Sequence, residues 1–269
     1  MRPSPMFRWS RRITLALALA APAVLAGQPV TKAQPADSGR VRTVAVLYFD
    51  NNSGRTDYDP LGRGISAMLI TDLSAVPQIR LVERERLQNV LAEQQLQQLS
   101  MFDPATAVRA GKLLGAEYLL TGAFSAVDPQ MRIDTRVIRV ETGEIVRTAK
   151  VQGNADDFFK LQQKLAHELV SALPIALSPA SLDSLQKQQQ RNRIDDARVI
   201  VDFAAGLVRL DNRDYVGAVE KLAPALTRSH DALVVQLAYD EAKKRASASA
   251  KQSAKDKVRS GLRGLLKRP

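Results

Sequence analysis

The sequence predicts an α/β fold followed by a small helical region. Three observations carry that prediction. Strand-length apolar runs alternate with helical periodicity up to Gly122. From Met131 to Val151 the pattern becomes an antiparallel meander. After Pro174 only helical periodicity remains.

Residues 1–26 read as an export signal. Arg2, Arg8, Arg11 and Arg12 form a basic start, and Ile13 to Leu25 form an apolar run. Val24-Leu25-Ala26 supplies small residues for cleavage between Ala26 and Gly27. The run is shorter than the ~20 residues of a spanning helix, which disfavours an uncleaved anchor. Arg11-Arg12 also fits a twin-arginine signal, but Thr14 favours the general secretory route. Residues 27–40, with Pro29, Pro35 and Gly39, read as a flexible lead-in.

Thr43 to Phe49 is a buried strand, and Asp50-Asn51-Asn52-Ser53-Gly54 is dense turn chemistry. A helix begins at Pro60, with Ile65, Leu69 and Leu73 on one stripe, and Pro77 closes it. Ile79 to Val82 gives a second strand. Leu87, Val90 and Leu91 define the next helix, whose Gln-rich end is polar. Asp103 is an N-cap with Pro104 at the first helical position, where its missing N–H costs nothing. Ala107, Ala110, Gly111 and Leu114 form a small-residue face, and Gly115 suits the left-handed helix end. Tyr118 to Gly122 is apolar on both faces, the mark of a covered central strand.

The run from Val82-Glu83-Arg84 through Glu93-Gln94, Asp103-Pro104-Ala105-Thr106-Ala107, Gly111 to Ala116 and Tyr118 to Gly122 resembles the periplasmic domain of the CsgG family. That family is typified by the curli secretion channel. The resemblance covers roughly residues 41–173 and is concentrated in Asp103 to Gly122. It implies a mixed sheet with flanking helices, like that of the TolB amino-terminal domain. The motif consists of capping and packing residues, so it transmits fold better than function.

Beyond Gly122, Phe124 to Val127 continues the strand to a tight Asp128-Pro129-Gln130 turn. Met131, Ile133, Thr135 and Val137 alternate with charged residues, Glu141 to Glu144 turn the chain, and Ile145 to Val151 return antiparallel. Channel-forming members of the family resemble one another in membrane-crossing hairpin insertions. Such a hairpin needs about 20 residues or more, which this turn cannot supply. Phe158, Leu161, Leu165, Leu169 and Leu173 mark a helix instead.

Pro174 to Ser181 mark a boundary, and Leu182 to Arg193 read as a polar connecting helix. Residues 199–232 resemble one tetratricopeptide repeat, with Gly206, Tyr215, Ala218, Leu222 and Ala225 at packing positions. A plain helical hairpin is the competing reading, because one repeat is fewer than such arrays need and Pro224 should kink the second helix. Leu233 to Lys244 would cap the pair. The expected organisation is thus a signal at 1–26, an α/β domain at 41–175, a helical region at 183–246, and a basic, disordered tail at 247–269.

Formal charge is +11, and removing the signal's four arginines leaves +7. The stretch from Lys243 to Pro269 alone carries +9, so the rest of the exported chain is near neutral at −2. A uniformly basic nucleic-acid-binding surface is therefore not expected. The tail is the part suited to an anionic envelope surface.

Reactive chemistry is sparse in the sequence. There is no cysteine, which excludes disulfides, thiol catalysis and a lipobox, Gly27 standing where a lipidated cysteine would. Gly62-Arg63-Gly64 lacks the third glycine of a dinucleotide fingerprint, and Gly111-Lys112 lacks the remainder of a phosphate loop. Packing is the reading for both. His167 and His230 are expected at the surface. Asp50, Asp57 and Asp59 share a loop without calcium-loop spacing.

The sequence thus points to a periplasmic, non-catalytic interaction protein of envelope assembly or secretion, without cofactor. An outer-membrane secretion-channel subunit is the alternative, and a nucleotide- or cation-binding protein a distant one. Expected partners are envelope proteins and further copies of the chain, at or near the outer membrane. Asp50, Asn51, Asn52, Asp57, Tyr58 and Tyr215 are the candidate partner-binding residues.

Overall fold

Strands β1 (Arg42–Asn51), β2 (Ile79–Leu81), β3 (Tyr118–Val127), β4 (Gln130–Arg139) and β5 (Ile145–Asn154) form one mixed sheet in the order β2-β1-β3-β4-β5. The computed structural model describes residues 40–93, 99–127, 129–194 and 196–265. The expected export signal, its Ala26–Gly27 cleavage site and Asp128 lie outside them. β1 pairs parallel with β2 and β3, while β3–β4 and β4–β5 are antiparallel. β3 is central and buried from Tyr118 to Phe124, as its two-sided apolar pattern predicts.

The two sheet faces bury separate cores. On one side Ala45, Leu47, Leu119, Ile138 and Val140 pack against α2 (Arg84–Glu93) and α3 (Pro104–Leu114). The Asp103 carboxylate caps α3 by accepting from Thr106 N at 2.9 Å, and Gly115 closes the helix at φ 66°. A Cβ at Gly111 would sit 2.7 Å from Leu119 Cδ1 and 2.8 Å from Val140 Cγ2. The small face of α3 therefore sets its close approach to the sheet.

On the other side Val44, Val46, Leu120, Phe124, Ile133 and Val151 pack against α1 (Leu61–Leu73) and α4 (Phe158–Ala172). A Cβ at Gly62 would fall 2.0 Å from the Phe49 carbonyl oxygen, so only glycine fits. Both glycine motifs thus serve packing.

The helical region comprises α5 (Pro179–Arg191), α6 (Ala197–Asp211), α7 (Tyr215–Arg228) and α8 (Leu233–Leu265). α6 and α7 form an antiparallel hairpin joined by Asn212, Arg213 and Asp214. A Cβ at Gly206 would meet Leu222 Cγ at 2.5 Å, so the predicted small-residue contact exists. α7 continues through Pro224 to Arg228. Phe203 and Ala204 of α6 pack on α1 at Gly64, so the α6 face is used internally and is not an open partner surface. One apolar cluster runs from the sheet through α1 into α6, α7 and α8.

The tail departs from expectation. Rather than becoming disordered at Ser247, α8 is helical through Leu265. Three alanines, three lysines and two arginines among the nineteen residues from Ser247 to Leu265 are good helix formers and offset four serines and two glycines. The helix also propagates from a docked first half, which removes the nucleation cost.

A polar cluster lies inside the α1 interface. Asp72, fully buried, accepts from Gln162 Nε2 at 2.6 Å and from the Asn192 side-chain amide. Asn192 Oδ1 in turn accepts from Val234 N at 3.2 Å. Burial pushes the Asp72 carboxyl up to about 6, against the opposing pull of those amides and of His167. The folded chain thus holds this proton up to about pH 6, whereas the unfolded chain releases it near 3.8. Asp72 contributes most below the lower value, and that contribution falls as pH rises through the upper one. Asp72→Asn is expected to be the more stable protein at pH 7.5, by up to about 3 kcal/mol. Urea titrations of both proteins from pH 4 to 7.5 should show the gap growing with pH.

Candidate partner-binding site

Five of the six predicted residues fall on the Asp50–Pro60 loop, where β1 leaves the sheet. The chain folds there on itself. Asn51 Nδ2 donates to Arg55 O at 2.6 Å and to Asp59 Oδ1 at 2.7 Å, and Asn51 Oδ1 accepts from Ser53 N at 3.0 Å. Gly54 takes φ 71°, which lets the loop reverse. A 3-10 turn at Thr56–Tyr58 follows. Arg55 pairs with Asp57 at 2.6 Å and lies 4.3 Å from the Tyr58 ring centroid. The pairing holds the Asp57 carboxyl below its ordinary range.

Asp50 has a different role. Its carboxylate accepts from Met101 N at 3.2 Å, Phe102 N at 3.1 Å and the Ser100 hydroxyl. The same segment is held from below, where Thr121 donates its hydroxyl to Met101 O and Arg136 Nη1 donates to Phe102 O at 3.0 Å. The Arg136 guanidinium stacks 3.7 Å from the Phe102 ring centroid. Asp50 is thus a latch between β1 and the approach to α3. Of the five predicted residues on the loop, Asn52 and Asp57 are exposed, alongside Gly54, Arg55, Thr56 and Asp59. The three aspartates are committed to separate partners, and among the described residues no group of three or more His, Cys, Asp or Glu is placed to hold a metal ion.

Tyr215 lies elsewhere, on a cavity of about 240 Å³ between α2, the α6–α7 turn and α8. Charged residues that the sequence reading passed over dominate it. The Asp211 side chain is 1% exposed and accepts from Tyr48 Oη at 2.9 Å, Arg63 Nε at 2.9 Å and Arg84 Nη1. Arg84 also reaches Glu241 at 3.1 Å, and Arg245 bridges Glu241 at 3.2 Å and Glu85 at 2.6 Å. Burial opposes the Arg84 charge, but Asp211 and Glu241 outweigh it and hold its pKa above the ordinary value. Burial, then the Asp211 charge, raises the Tyr48 phenol. One signal was available in the sequence. Phe203, Leu207 and Asp211 recur at i, i+4 and i+8, which sets a carboxylate on an apolar stripe. These pairs join the body to the helical region and satisfy one another, so the cavity reads as a structural seam.

Two substitutions separate these roles. Asp50→Ala should leave two backbone N–H groups unpaired, cost about 1–3 kcal/mol, and speed amide exchange at Met101 and Phe102. Asp211→Ala leaves Arg63 and Arg84 facing each other without their carboxylate, and should cost about 3–5 kcal/mol in thermal or urea unfolding.

Comparison with known proteins follows the fold. Residues 28–132 match the family described as Curli production assembly/transport component CsgG. A curated relative named Putative adenylate cyclase 3, from Rhizobium meliloti (strain 1021), is 23% identical over 203 residues. That match takes in 72% of this chain, which spans only 32% of the relative's length. The LpoB C-terminal domain from Salmonella enterica is similar at 18% identity and TM-score 0.34, over 44% of this chain and 87% of that one. PelC from Paraburkholderia phytofirmans, solved as a dodecamer, is similar at 17% identity and TM-score 0.29, over 58% and 87%. Lipoprotein GNA1162 from Neisseria meningitidis is similar at 9% identity and TM-score 0.36, over 48% and 99%. Residues 28–132 of the α/β body thus match the CsgG family model, in line with the resemblance carried by Asp103 to Gly122.

Proposed function

We propose that this chain is a periplasmic, non-catalytic adaptor of cell-envelope assembly or secretion, engaging an envelope protein through the rim of the Asp50–Pro60 loop. The observation that carries this reading is the family match over residues 28–132. The loop supports it. It is braced by its own hydrogen bonds and by the Asp50 latch, and it presents Asn52 and Asp57 outward, so little ordering would be needed on binding.

The strand connections favour an adaptor over a channel subunit. β3 and β4 stay paired to Val127 opposite Gln130, and β4 returns to β5 between Arg139 and Ile145. A bilayer-crossing strand takes about 9–11 residues beyond such a body. No described helix is long and apolar enough to cross a membrane.

The full chain, tagged at its carboxyl end and cross-linked in envelope preparations, should capture a specific envelope protein. Asn52→Arg with Asp57→Arg should reduce capture at least tenfold without lowering the melting temperature. Equal capture by that variant would move the contact elsewhere. Recovery only with detergent, and never by osmotic shock, would favour the channel reading.

A further inference from the structure

We propose that the second half of α8 is a membrane-surface arm that docks the protein on a bilayer containing anionic phospholipid. The first half of α8 is docked, with Val234, Val235, Ala238 and Ala242 buried against the helical region. From Ser247 to Arg259 every residue is exposed. At 1.5 Å per residue this is an exposed rod of roughly 20 Å. It has no apolar core of its own to stabilise it, while helices of this length are marginal alone in water.

Three of the four cations from Ser247 to Arg259 share one side of the helix, Lys257 lying off it. At about 100° per residue, Lys244, Lys251, Lys255, Val258 and Arg259 fall within one arc of about 100°. All of them are exposed, Val258 at 63%. The one acid in the exposed segment, Asp256, lies outside the arc and accepts from Gln252 at 3.1 Å. The cations of the arc therefore share one side with an exposed apolar residue. The rest of the exported chain carries no comparable excess of positive charge. A flat anionic surface complements this arrangement: several cations engage it together while Val258 enters the headgroup layer. A disordered basic tail would not hold that stripe in register.

This proposal goes beyond the adaptor reading, because vesicle binding and partner capture are measured separately. The full chain should co-sediment with vesicles of phosphatidylglycerol and phosphatidylcholine at 50 mM salt. Binding to pure phosphatidylcholine should be much weaker, and 500 mM salt should release the anionic vesicles. Each cation removed should weaken binding about fivefold. Lys251→Glu with Lys255→Glu and Arg259→Glu should therefore cut it at least a hundredfold at unchanged melting temperature. Parent and variant share residues 1–250, so the difference reports on α8. If charge reversal disturbs folding, the triple Gln variant gives the same comparison. Val258→Asp should weaken binding further than salt alone accounts for.

Equal vesicle binding by parent and triple variant would overturn the proposal. So would retention on a soluble polyanion with no partition to anionic vesicles, which would point to an acidic macromolecule instead.

Discussion

One face of the sheet, α4 and the helical hairpin all meet at α1. One side of that helix lies on β1 so closely that Gly62 faces the Phe49 carbonyl. Its other side carries Phe203 and Ala204 of α6 at Gly64. Ten of its residues are buried, including Ser66 and Asp72. A helix covered on both sides is stabilised by apolar burial in two directions, at roughly 25 cal/mol for each Å² removed from water. It must also be slim where it touches, which is why small residues cluster at its start. The sheet, α4 and the helical hairpin each pack against this one helix, and α4 also packs directly on β5.

The architecture was largely legible in the sequence, because its signals are local. Period-2 and period-3.6 patterns gave the strands and helices, Asp103-Pro104 and Gly115 bounded α3, and the double-sided apolar run marked β3 as central. Long-range choices were not legible. That α6 lies on α1 depends on Ala204 meeting Gly64 across 140 residues of chain. Composition misled at the tail, where a low apolar content suggested disorder while helix propensity and an anchored first half gave a helix.

The candidate site divides the same way. The Asp50–Asp59 loop was visible as polar turn chemistry, and the structure distinguishes within it a latch, Asp50, from outward residues, Asn52 and Asp57. The seam at Asp211 was not picked out, although its trace was present: a carboxylate on an apolar stripe. Asp72 bears the same mark, lying seven residues after Ile65 on the buried side of α1. Both aspartates accept only in one alignment of the surrounding helices. Apolar contacts tolerate sliding, whereas a buried carboxylate left without its donors costs several kcal/mol. Such residues restrict how the helical region can sit on the body.

The partners of Asp211 have a consequence for how the chain is made. Tyr48, Arg63 and Arg84 all precede it by more than 120 residues. During synthesis the sheet's first strand and α1 therefore exist well before α6 is available to cover them. Until then an oily flank of α1 stands open to water beside two arginines waiting for a counter-charge and a phenol waiting for an acceptor. The nascent chain passes through a sticky stage that only its last third can end.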